Sequence, residues 1–94
     1  MKILIDEKAK NFLNKKNSNV IIIDVKGCSS WSGVVLKPMA SLGKPLNADK
    51  YTLENVDGID VYVMNGINAV NDTVNVSTMS FLFIENLVVN GIIV

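Results

Sequence analysis

Apolar positions along this chain follow first a helical and then a strand period, and the change between them sets the order of the elements. The opening KILI, residues 2–5, reads as a short strand. Asp6 then stands as a candidate N-cap before EKAKNFLNKK, where Ala9, Phe12 and Leu13 fall on one face at helical spacing. Acidic residues begin this helix and Lys15-Lys16 end it, the charge order a helix dipole favours, and the Asn17-Ser18-Asn19 cluster stops it.

From residue 20 the pattern turns to strands. VIIIDV, residues 20–25, is β-branched almost throughout and reads as a central strand, and VVLK, residues 34–37, as the next. Between them GCSSWSG is expected to be a loop, with Gly27 and Gly33 at its two ends. MASLGKPLNAD has no clean period and reads as a connection of about a dozen residues, a length associated with function or mobility. Asp57-Gly58 is a strong turn dipeptide between KYTLENV and the alternating IDVYVM, which predicts a hairpin. INAV, between the turn signals Asn65-Gly66 and Asn71-Asp72, fits a helical turn or a short strand. SFLFIENLVV returns to β-type content, and Asn90-Gly91 is placed to turn LVV back against IIV. The expected fold is a single α+β domain over residues 1–94. It is a β-rich mixed sheet with one N-terminal helix over residues 6–16.

Composition narrows the function classes. The nine basic residues are all Lys, and none lies beyond Lys50. No basic stripe is available to displace counterions from nucleic acid, so a nucleic-acid partner is not expected. The N-terminus turns charged before a signal-peptide core forms, and no apolar run approaches the roughly 20 residues of a membrane span. The expectation is therefore no membrane and a cytoplasmic location. With a formal net charge of zero and a thin core, the chain is expected to self-associate. The edge most exposed to this is SFLFIENLVVNGIIV, whose one charge is Glu85.

The absence of histidine removes Ser-His-Asp and Cys-His arrangements and most zinc sites. No Gly-rich phosphate loop is present. Asp57 and Asp60 are accounted for by a turn and by the solvent face of a strand. The chain is read as a non-enzyme. Trp31 is read as a core anchor. A lone cysteine is by default a small buried hydrophobe. A Gly-Cys-Ser-Ser loop with Lys26 nearby nevertheless presents Cys28 at a surface, and the candidate site is Cys28 with Gly27, Ser29, Ser30, Trp31 and Gly33 around it.

A short strand and helix, then VIIIDVKGCSSWSGVVLKP, then KYTLENVDGIDVYV, resembles the HesB-like family, the A-type iron-sulfur cluster carriers. The likeness runs over residues 2–90 in element order, and Cys28 is the matching functional position. The resemblance implies a HesB-like fold, a homo-oligomer, and iron or an iron-sulfur cluster held with partner help. It also implies other iron-sulfur assembly proteins as partners. Family members add a Cys-x-Cys pair in a C-terminal tail, which residues 1–94 do not contain, and some small ones carry a second Cys or a selenocysteine directly after the first, where this chain has Ser29. The resemblance thus implies a reduced HesB-like protein handling metal or clusters through Cys28 at an oligomer interface. The alternatives are a binding or structural module that keeps the fold without metal, and a thiol-redox role for Cys28.

Overall fold

In the computed structural model, which describes residues 1–94, the chain opens with strand β1 (Lys2–Ile5) and helix α1 (Glu7–Lys15). Asp6 starts the helix as its N-cap, accepting from the Ala9 N–H at 2.8 Å. Its second carboxylate oxygen accepts from the Ser77 hydroxyl, and its own N–H donates to the Val76 carbonyl at 3.1 Å. The Ser77 hydrogen bond first, and the Ala9 N–H second, hold the Asp6 carboxyl below its usual 3.8. One side chain thus fixes both the helix start and its position over a distant strand. The helix stops where Asn17 enters the left-handed region at φ 51°.

Beyond the helix the chain builds two main sheets and a ribbon. In the larger sheet, β2 (Val20–Ser30), β3 (Gly33–Leu42), β4 (Tyr51–Val56) and β5 (Ile59–Met64) lie in the order β3-β2-β5-β4. A two-stranded ribbon joins β6 (Asn68–Ala69) to β9 (Ile92–Ile93), and the smaller sheet sets β1, β7 (Thr73–Phe81) and β8 (Ile84–Asn90) side by side. Both main sheets are mixed: β2 runs parallel to β5 and β1 parallel to β7, while the hairpin pairs are antiparallel. The expected β-rich α+β architecture with one early helix is what the chain adopts.

The core lies where the inward faces meet. Alternate residues Ile21 and Ile23 of β2, Ile59, Val61 and Val63 of β5, and Val74 and Val76 of β7 close over Ala9, Phe12 and Leu13. Only 14 of 94 residues are buried, because both long hairpins run well past this core. The radius of gyration, 13.3 Å, exceeds the roughly 12 Å of a compact domain this long.

Several expectations change. The predicted Gly27-to-Gly33 loop is the outer half of a β-hairpin. Gly27, Cys28, Ser29 and Ser30 pair with Leu36, Val35, Val34 and Gly33, and only residues 31–32 turn. Serine and glycine have low strand propensity, but here the ladder of a long register carries them through. Strand β3 also continues through Pro38 to Leu42, shortening the expected connection. Proline is tolerated there because β3 is an edge strand. Trp31 is fully exposed at the hairpin tip rather than in the core. INAV contributes to both of its readings, since Asn68–Ala69 is a strand and Val70–Asp72 a 3-10 turn. The Asn90-Gly91 bend does not fold β9 back on β8, but delivers it to β6.

The turn between β7 and β8 is unusual. Two residues, Leu82 and Phe83, connect Phe81 to its cross-strand partner Ile84, at φ 51° and 67°. A two-residue hairpin needs that left-handed conformation and normally takes it with Asn-Gly or Asp-Gly, as Asp57-Gly58 does between β4 and β5 (φ 53° and 81°). For bulky side chains the same geometry costs on the order of 1 to 3 kcal/mol per residue.

Candidate functional site

Cys28 lies in the projecting half of β2, and its thiol is exposed. Strand alternation puts it on the face shared by Lys26 and Asp24, away from Ile21 and Ile23. Its cross-strand partner is Val35, and the next pair on that face sets Lys26 directly opposite Lys37. Neither lysine has a carboxylate partner within 4 Å, so two ammonium groups flank the thiol on the core side. Asp24 is four residues away along the strand, about 13 Å at strand rise, beyond the reach of a shared metal. Ser29 faces the other side. At the tip the Ser30 hydroxyl donates to the Gly33 carbonyl at 3.0 Å, and Gly33, at φ 120°, takes the chain into β3. Gly27 lies close under β3, where an added Cβ would come within 3.1 Å of a Val34 methyl. Trp31 extends from the tip into open space.

The six residues that the sequence singles out are therefore brought together, as a ribbon instead of a loop. What they offer a metal ion is one thiolate. No three carboxylate or thiol groups converge anywhere on the chain. A cluster takes four ligands, mostly thiolates, so a single chain does not fit one.

A second polar feature escapes a reading of the sequence. Asp24 is the one buried charged residue, 6% exposed, and only Tyr51 serves it, through a hydroxyl donated to Oδ2 at 3.3 Å. Oδ1 is buried without a partner. Beside this pair a cleft of ≈ 330 Å³ is lined by Lys26, Lys44 and Lys50. The signal in the sequence is an acid closing the run VIII, since a charge in a central strand demands a partner. Burial, then the Asp24 charge, then the Asp24 hydrogen bond push the Tyr51 phenol above its ordinary 10.0. The contribution of Tyr51 is accordingly whole below about pH 10, where the phenol is neutral folded or unfolded, and is lost as pH rises above it. Tyr51→Phe should lower stability near neutral pH by about 1 to 3 kcal/mol, because both Asp24 oxygens then lack donors. The variant should also lose less stability than the parent above about pH 10. Urea titrations at the two pH values measure both, and an unchanged midpoint at neutral pH would show that the pair contributes nothing.

No helix is long and apolar enough to cross a membrane. In comparison with known proteins, no curated protein and no solved structure matches the chain. Residues 1–92 match the model of the CC/Se motif containing family. With all but the last two residues inside that match, the chain belongs to the CC/Se motif containing family.

Proposed function

We propose that this chain is a non-enzymatic HesB-like protein that carries iron or an iron-sulfur cluster as cargo between chains, with Cys28 as its thiol ligand. The observation that carries this reading is the position of Cys28. It is exposed on a hairpin that projects beyond the core, where a second chain can bring a second thiol within bonding distance. The family name supports a thiol-based role, since it refers to a CC/Se motif and Cys28 is the one cysteine here on which such a motif can fall. Ser29 is a poor ligand for a soft metal. A symmetric pair of chains then supplies two thiolates of the four a cluster takes, and the rest come from a small thiol or from an iron-sulfur assembly partner.

Anaerobic reconstitution with iron, sulfide and a small thiol tests this. The wild type should acquire visible absorption and iron at less than one cluster per chain, and Cys28→Ser should lose at least nine-tenths of both. A cluster that persists in the variant would remove Cys28 from its proposed role. Iron in neither protein would favour a second reading, a binding module that keeps the fold without metal. That reading is supported by the lack of any three converging ligands.

A further inference from the structure

The outer end of the β7–β8 hairpin has no charged residue from Thr73 to Ile84. Met79, Phe81 and Ile84 share one face of the ribbon, with Phe81 and Ile84 directly opposed, and all three are mostly exposed. Leu82 and Phe83 cap it, Phe83 with its whole side chain in solvent. Five large apolar side chains thus form one continuous tip, held on a turn that bulky residues adopt only under strain. Solvent alone gives no reason to keep such residues where Asn-Gly would relieve the strain and the exposure together.

Alongside this tip the same chain carries an open groove. Strands β3 and β8 are edge strands of their sheets, and between them runs an open groove of ≈ 570 Å³. Its walls are mainly apolar, with Pro38, Met39 and Ala40 on one side and Leu87, Val88 and Val89 on the other. Met79 and Phe81 belong to both features, so tip and groove are contiguous on one surface. A two-fold interface requires one patch that complements itself. A projecting apolar tip beside an apolar groove meets that requirement.

We infer that two copies of this chain pair by reciprocal docking, the Leu82-Phe83 tip of each seated in the β3–β8 groove of the other. The area is of the right order. Phe81 and Phe83 alone offer roughly 300 to 500 Å², and with Met79, Leu82, Ile84 and the groove walls the patch approaches the roughly 800 Å² per partner of a stable interface. Charge gives little pull toward a lipid surface, because the tip has no lysine to add attraction for anionic headgroups and the groove beside it has only Lys37, while its apolar walls match the apolar tip of a second copy. This pairing deepens the assembly on which the proposed function rests, yet it uses no metal and does not involve Cys28.

Sedimentation velocity over a concentration series tests it, with the double variant Leu82→Asn/Phe83→Gly. The replacement installs the preferred turn residues, so the monomer should be at least as resistant to urea as the wild type, while dimer affinity weakens at least tenfold. Val88→Lys, which charges the groove and leaves the tip intact, should weaken it similarly. Cys28→Ser should dimerise as the wild type does, and it therefore separates failure of this interface from failure of metal binding. A wild type that stays monomeric to about 1 mM, a double variant that dimerises unchanged, or loss of the dimer in Cys28→Ser would each overturn the inference. So would a monomeric wild type whose tip binds vesicles of phosphatidylcholine and phosphatidylglycerol.

Discussion

Leu13→Ala should cost the fold about 3 kcal/mol or more, enough to leave a substantial fraction of the protein unfolded under mild conditions. Leu13 is 2% exposed and belongs to a core of only 13 apolar residues that joins helix α1 to both sheets. Truncating a buried leucine typically costs 2 to 5 kcal/mol, from lost transfer free energy and from the cavity left behind. A domain of this length has roughly 5 to 14 kcal/mol in total. Ala9, Phe12 and Leu13 are the helix's buried residues, and the outer β7–β8 hairpin meets the helix only at its charged end, where the Lys15 ammonium lies 3.9 Å from the Glu85 carboxylate. Urea unfolding followed by far-ultraviolet circular dichroism measures the change. A loss below about 1 kcal/mol would mean that the helix does not close the core as described.

Gly91→Ala should be comparably damaging, for a different reason. Gly91 has φ 97°, a region closed to alanine without strain, and an added Cβ would lie 2.6 Å from the Thr73 carbonyl oxygen. The backbone there cannot move freely. The Gly91 carbonyl accepts from the Val70 N–H at 2.8 Å, and the next two residues pair with β6. Relieving the contact means giving up the β6–β9 ribbon, which supports Ala69 and Ile92 against the core. A loss of about 2 to 4 kcal/mol is expected from strain together with this packing. Gly33→Ala is the control: its φ is also positive, at 120°, but nothing lies within 4 Å of the added Cβ, so only the backbone cost remains. Equal midpoints for the two variants would rule out the close approach to Thr73.

The parts of this fold that are legible in the sequence are those where local pattern and burial agree. Asp6, Ala9, Phe12 and Leu13 mark the helix start and its face, and Asp57-Gly58 marks a turn whose flanking residues alternate cleanly. Pattern fails where tertiary pairing overrides it. Ser29 and Ser30 extend β2 because Val34 and Gly33 are already held opposite them in register, a condition that propensity does not express. Leu82-Phe83 carries no turn signal at all, which is why the β7–β8 hairpin reads in the sequence as one apolar stretch. The site is half legible. Its residue set comes from one cysteine among glycines and serines, and this identifies the ribbon's outer end but not its form. Trp31 defies expectation because a large aromatic usually packs inward, and nothing in its neighbours distinguishes a core position from a hairpin tip. The pairing of Asp24 with Tyr51 spans 27 residues, so only the fold brings the two together.

If Cys28 thiols from more than one chain hold the cargo, the number of chains in each iron-bound species is the decisive quantity. Native mass spectrometry of the protein reconstituted without oxygen reads it. Iron-containing species should carry two or more chains, the mass of a lone chain should show no cluster, and Cys28→Ser should yield assemblies free of iron. A cluster bound to a single chain, or one bound equally to assemblies of Cys28→Ser, would refute the sharing of cargo between Cys28 thiols.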